Sequence, residues 1–397
     1  MSDERTIVTG SLILDDRVVT GRLTVANGRI VEVVLDEDAD HGAGRGDVGG
    51  GDVGGGTLRA GPYIAPGFVD VHVHGWGDHD AMGPIGDLDG MARVLLRHGV
   101  TSFLPTAVTA SLADLVEFAE RVRSWLTKAP SDGAAPLGFN LEGPFLAQAR
   151  KGAHDPTHLR LPADVAWADL QPLLDGLRLI TVAPELPGAL ALIASLRERG
   201  IAVSMGHSAA DLAEARAGYS AGGTTTTHLF NAMTGVDHRA PGLAVAALAD
   251  DAVYVELIAD GQHVHPGLWP LITRLKPIDR LLLVSDAIAL AGMGDGRSTV
   301  GGLDVEVVGG RVTLTGTSTL AGSVIALDDA VRNVVDAGVA LPAAVAAASR
   351  NPLAMLGVTD RGRLAIGQRA DLVELDDDLR VARVMREGRW QATTSPA

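Results

Sequence analysis

The 397-residue chain contains no cysteine. Disulfides and thiolate-held zinc are therefore excluded, and any metal must be bound by histidine and carboxylate. No apolar run is long enough to cross a bilayer as a helix, and Met1-Ser-Asp-Glu-Arg5 carries acids where a secretory signal would be basic and then apolar. A cytoplasmic protein is expected. Positive charge is also scarce, with 33 Lys and Arg against 49 Asp and Glu, a formal net charge of -16. Without a local basic patch such a surface repels a phosphate backbone, which excludes nucleic acid as a partner. A small anion is still allowed, because one or two well-placed cations suffice to hold it.

What is present is organised around Phe68-Val-Asp-Val-His-Val-His-Gly75. Phe68, Val69, Val71 and Val73 are β-formers between Pro66-Gly67 and Gly75, so the stretch reads as a short buried strand. His72 and His74, at i and i+2, point to one face at its carboxyl end and form half of a metal site.

Upstream, residues 6 to 35 alternate apolar and polar around turns such as Ala26-Asn27-Gly28, as in a small antiparallel sheet. Residues 37 to 57 are glycine-rich and acidic, with too little apolar surface to offset the entropy of ordering, and read as a flexible loop. A phosphate-cradling loop would need a Gly-Lys-Ser ending, which this segment lacks. From Phe68 the pattern becomes strand, loop, helix. Strands are expected at 68 to 73, 101 to 105, 137 to 141, 178 to 183, 201 to 205, 223 to 228, 253 to 259 and 280 to 285, with helical spacing between most of them, as at Leu88 to Arg97 and Ala113 to Leu126. Eight such units imply a closed (β/α)₈ TIM-like barrel. The alternative is a doubly wound open sheet, which would favour a glycine fingerprint where His-Val-His-Gly-Trp stands. A strand pair near 302 to 315, helices from Ser323 to Leu356 and strands at 366 to 375 and 381 to 387 follow. The expected division is a small β-sandwich built by both termini, residues 1 to 65 and 357 to 397, beside a barrel of residues 66 to 356.

Active sites of such barrels lie at the carboxyl ends of the strands. Six of the eight ends carry a titratable group: His72 and His74, Glu142, His207, His228, Asp260 with His263, and Asp286. Each has a plain structural alternative, a buried hydrogen-bonded histidine or a helix-capping acid. Their convergence favours a metal site. His41, His98, His158 and His238 lack such placement and read as surface or structural residues; His265, two residues past His263, fits either reading, and the structural one is preferred.

The order His72-x-His74, Glu142, His207, His228, Asp286 resembles the amidohydrolase superfamily. The strings Leu141-Glu-Gly-Pro144, Lys151-Gly-Ala-His154, Gly206-His-Ser208, Thr227-His-Leu-Phe-Asn-Ala-Met233 and Ala259-Asp-Gly-Gln-His-Val264 resemble its N-acetylglucosamine-6-phosphate deacetylase family, from about Gly61 onward. Relatives that use a carboxylated lysine are disfavoured, since none of Lys128, Lys151 and Lys276 ends a barrel strand. The resemblance implies that Glu142, His207 and His228 bind the principal divalent metal, with His72 and His74 allowing a second ion. Zinc is the first choice, with iron, manganese or cobalt as alternatives. It further implies Asp286 as catalytic acid/base, His154 as a donor to the acetyl carbonyl, and Asn231, Ala232, Arg239 and His263 as contacts of the sugar phosphate. Arg239 would come from the neighbouring subunit of a homodimer. Trp76 and His79 interrupt the glycine run usual after His74, and the segment near residue 50 is an insertion. A deacetylase for the galactosamine epimer, another amidohydrolase and a non-catalytic sugar-phosphate binding protein remain as alternatives.

Overall fold

The computed structural model describes residues 5–36 and 62–391. The expected 37 to 57 loop and His41 lie outside these residues. Eight parallel strands pair in sequence order: Phe68–Val73, Val100–Ala107, Phe139–Glu142, Leu177–Val182, Ala202–Met205, Thr225–Thr226, Tyr254–Leu257 and Leu281–Leu283. Helices Ile85–Arg97, Leu112–Leu126, Trp167–Leu174, Ala189–Glu198, Leu212–Ser220, Leu243–Ala249, Trp269–Leu275 and Leu327–Asp336 connect and cover them. All residues of the first, second, third, fifth and eighth strands are buried, as expected of strands covered on both faces. The architecture is a nearly closed (β/α)₈ barrel.

The ladder does not run between the first and eighth strands. Hydrogen bonds just past their carboxyl ends join them instead: the Asp286 amide donates to the His72 carbonyl at 2.9 Å, and the His74 and Gly75 amides to the Ala287 carbonyl at 2.8 and 2.9 Å. Gly75 is required there, because a Cβ on it would lie 2.6 Å from the Ala289 nitrogen. The barrel is thus closed by the same residues that carry the candidate chemistry.

The helices seal the outside with apolar faces. Leu112–Leu126 starts at Ser111, whose side chain accepts from the Asp114 amide, and buries Leu115, Phe118, Ala119, Val122 and Trp125. Phe118 meets Phe139 of the third strand edge-on, with centroids 5.5 Å apart. Both chain ends build the separate β-rich unit. Its strands are, in spatial order, Arg389–Trp390, Val381–Arg386, Leu372–Leu375, Tyr63–Pro66, Arg5–Ile13, Val18–Ala26 and Arg29–Leu35, antiparallel except where Arg5–Ile13 meets Tyr63–Pro66. They enclose a core of their own that includes Leu12, Leu23, Ile30, Ile64 and Leu372.

Three details differ from the sequence expectation. The sixth strand is two residues long, because the chain leaves the ladder at Thr227 and bends into a left-handed backbone at His228. The pair near 302 to 315 is a three-stranded sheet, Gly296–Val300, Leu303–Val308 and Arg311–Leu314. Residues 366 to 371 form a turn followed by an isolated antiparallel bridge from Arg369 to Arg29, and the strand starts only at Leu372. No helix of the described residues is long and apolar enough to cross a membrane.

Candidate active site

The strand ends converge on one buried carboxylate. Glu142 Oε1 lies 3.1 Å from His207 Nε2, 3.0 Å from His228 Nε2 and 3.6 Å from His72 Nε2. Its Oε2 lies 3.3 Å from His74 Nε2 and 3.3 Å from His154 Nε2. Asp286 Oδ1 completes the ring, 3.5 Å from His72 Nε2 and 3.2 Å from His74 Nε2. Glu142 therefore belongs to two groups, one with His72, His74 and Asp286, the other with His207, His228 and His154. All seven side chains are buried.

The backbone is bent to achieve this. His207, His228 and Asp286 have φ of 47°, 29° and 51°, in the left-handed region that non-glycine residues avoid at a cost of roughly 1–2 kcal/mol each. Such strain persists only where the surroundings impose it, and here it turns three side chains from the strand ends into the barrel mouth.

Hydrogen bonds behind the rings set their tautomers. His72 Nδ1 donates to Glu256 Oε2 (3.0 Å), His74 Nδ1 to the Thr106 carbonyl (3.1 Å) and His207 Nδ1 to the Arg150 carbonyl (2.8 Å). In each the Nε2 lone pair is left facing the centre, as a metal ligand requires. His154 is opposite: its Nδ1 accepts from the Thr109 amide at 3.3 Å, so its Nε2 carries the hydrogen. In that tautomer its Nε2–H points at Glu142 Oε2, 3.3 Å away, although the ring also stands within reach of a cation shared with Glu142 and His207.

These atoms fit a cation. Neutral rings whose lone pairs face one another, as His72 and His74 do at 3.2 Å, cannot bond to each other without positive charge between them. The acid–base balance agrees. Burial disfavours charge on His74, yet Asp286 and Glu142 outweigh it and raise its pKa to about 9; His72 is also raised, against its burial, by Glu142 and Asp286. Burial pushes the Asp286 carboxyl up, but His72 and His74 overcome it and hold it at about 2. For His154 burial dominates and lowers the pKa to about 4, so the ring stays neutral. The field that favours positive charge at His72 and His74 would equally favour a divalent ion in either of the two groups that share Glu142.

A cavity of about 370 Å³ opens over this centre. Asn231, Ala232 and His263 line it beside the metal-site residues, as do Arg150 and the segment Thr319 to Gly322. His263 Nδ1 lies 2.7 Å from Asp260 Oδ2. Burial lowers the His263 pKa, but the Asp260 contact outweighs it and raises the value above the ordinary range. Arg239 is elsewhere, on an exposed loop where its amide bonds Asp237 at 2.7 Å, and it does not line the cavity of its own chain. His98 bonds Asp328 (3.2 Å), His265 caps the Gly267 amide (3.1 Å), His238 is exposed and His158 ends a 3₁₀ turn. Two residues escaped the sequence reading: Arg150 at the rim and Glu256 behind His72. An acid within the apolar run Tyr254–Leu257 was the signal for the second.

The barrel and its carboxylate–histidine centre define a class of hydrolytic metal sites, and comparison makes the class specific. The amidohydrolase family model matches residues 63–391, and the chain belongs to that family. It is 40% identical over 333 residues (82% of this chain, 87% of the relative) to N-acetylgalactosamine-6-phosphate deacetylase of Escherichia coli O157:H7. It is 39% identical over 349 residues (84% of each) to the human N-acetylglucosamine-6-phosphate deacetylase. Among solved structures it superposes on a Mycobacterium smegmatis N-acetyl-D-glucosamine-6-phosphate deacetylase mutant in complex with N-acetyl-D-glucosamine-6-phosphate, with a TM-score of 0.85, 35% identity, and 98% and 99% of the two chains covered.

Because Glu142 belongs to both groups, Glu142→Gln should remove metal from the whole centre. Elemental analysis is expected to find less than one tenth of the wild-type metal, whereas His263→Gln, outside the centre, retains it in full.

Proposed function

We propose that this protein hydrolyses the N-acetyl amide of N-acetylglucosamine 6-phosphate, giving glucosamine 6-phosphate and acetate. The observation that carries this is the division of labour at Glu142: ring nitrogens with free lone pairs on His72, His74 and His207, and one donor, His154, aimed into the same space. The relatives named above align with more than four fifths of this chain at 39% and 40% identity.

A divalent ion, zinc first with iron, manganese or cobalt as alternatives, supplies a water of lowered pKa and polarises the acetyl carbonyl. Glu142, His207 and His228, whose facing atoms lie within 3.1 Å of one another, would hold the principal ion, and the second group of His72, His74 and Asp286 beside Glu142 leaves room for another. Asp286, its carboxyl held below the usual carboxylate range by the positive charge of the centre, accepts the proton of the attacking water. The same carboxyl then returns the proton to the sugar nitrogen as the C–N bond breaks. His154 Nε2–H donates where the carbonyl oxygen gains charge; loss of such a donor costs on the order of a hundredfold or more in turnover.

The phosphate lies away from the chemistry. His263 meets it as an imidazolium: Nδ1–H is committed to Asp260, so Nε2 donates only when the ring is protonated. Phe230 and Ala232 have φ of 78° and 49°, and alternation of left- and right-handed residues is how backbone N–H groups converge on an anion. Arg239, exposed on its loop, supplies the remaining cation to the cavity of a second copy in a homodimer. A cytoplasmic setting suits a phosphorylated substrate, whose charge keeps it from crossing a bilayer. The 40% identity to an N-acetylgalactosamine-6-phosphate deacetylase supports the epimeric substrate as the second reading.

Acetate release from the 6-phosphates of N-acetylglucosamine and N-acetylgalactosamine decides between them. The glucosamine ester is expected to react with the higher kcat/KM, and Asp286→Asn to retain the principal ion while losing at least a thousandfold in kcat. Release from neither ester would refute the reading.

The pH dependence has a definite sign. A histidine with raised pKa is charged below that pKa and loses its charge as pH rises through it. Above about pH 7 the phosphate is already a dianion, since its second pKa is about 6. KM is therefore expected to rise with pH through the His263 transition. Asp260→Asn should move that rise to lower pH; an unchanged KM profile would contradict the role.

A further inference from the structure

The mechanism above leaves Glu256 unused, although it is fully buried directly behind the metal centre. It sits on the seventh strand, Tyr254–Leu257. Its Oε2 accepts two hydrogen bonds, from His72 Nδ1 at 3.0 Å and from the backbone N–H of His228 at 3.2 Å. Its backbone carbonyl accepts from the Leu229 amide at 2.8 Å. One residue thus grips a ligand ring from one group around Glu142 and the strained turn that carries a ligand of the other.

The four other histidines of the centre are backed differently. His74 and His207 donate to neutral carbonyls, His154 accepts from an amide, and His228 Nδ1 has no partner among the described residues. Only His72 has a carboxylate behind it. A carboxylate accepting Nδ1–H fixes the ligand tautomer and makes the opposite nitrogen a stronger donor to a cation, and loss of such a partner typically weakens metal binding about 10–100-fold. This selective support falls on the group made of His72, His74 and Asp286. The other group has the His228 turn held by the same oxygen, but its rings do not depend on Glu256 for their tautomers.

We infer that Glu256 is a positioning residue that makes His72 a metal ligand and thereby sets whether the centre holds a second divalent ion beside the one at Glu142, His207 and His228. The inference rests on the reading of this centre as a cation site. Its consequence is specific: weakening Glu256 removes one ion and leaves the other.

The test is titration of the metal-stripped full-length protein with Co²⁺, followed by visible absorption and by cobalt content after gel filtration, for wild type, Glu256→Gln and Glu256→Leu. Wild type is expected to take two ions per chain. Glu256→Gln, which keeps an acceptor for His72 but not its charge, should bind the first ion normally and the second about 10–100-fold more weakly. Glu256→Leu should bind one. Circular dichroism checks the leucine variant, and if it does not fold the near-isosteric glutamine variant decides. Two ions with unchanged affinities in the variants, or a single ion in the wild type, would overturn the role of Glu256. No cobalt in the wild type would instead overturn the cation reading itself.

Discussion

The attraction between the Glu142 carboxylate and a positive charge shared among its histidines governs this molecule. Glu142 and Asp286 are buried with little access to solvent, and burying an unpaired carboxylate costs several kcal/mol. Five histidine Nε2 atoms surround Glu142 within 3.6 Å. An ion pair at about 4 Å gains roughly 4 kcal/mol at an effective dielectric near 20, so a cation at this point offsets the desolvation that an empty ring of lone pairs would not. The same field that suits the centre to a cation holds the Asp286 carboxyl below the usual carboxylate range, as the proposed role of proton acceptor requires.

The fold is the means of imposing that arrangement. Strand ends alone would carry side chains outward along the barrel axis. The left-handed turns at His207, His228 and Asp286 redirect them, and the hydrogen bonds from Asp286 to His72 and from His74 and Gly75 to Ala287 both close the barrel and fix the ligands. Barrel closure and the candidate site thus share these residues.

Much of this could be read along the chain. The first strand is marked by β-formers between Pro66-Gly67 and Gly75, and two-residue periodicity alone puts His72 and His74 on one side. Glu142 and Asp286 stand out because they recur where apolar runs end. What stayed hidden depends on contacts distant in sequence. The tautomer of His154 is set by the Thr109 amide, 45 residues earlier, and Glu256 meets His72 across 184 residues. Neither leaves a local pattern. The brevity of the sixth strand was hidden for a related reason, since Thr227 and His228 look like strand residues until the site bends them. Roles at the phosphate end, Arg239 above all, came from resemblance, and the chain by itself places that arginine on an exposed loop.

The central claim is that a cation lies among Glu142, His207 and His228. Anomalous diffraction from crystals of the protein, recorded above and below the absorption edge of the metal found by elemental analysis, tests it most directly. The account predicts an anomalous peak within about 2.0–2.2 Å of Glu142 Oε1 and of the Nε2 atoms of His207 and His228. The same three side chains in place with no anomalous peak between them, in protein that releases acetate at full rate, would contradict it.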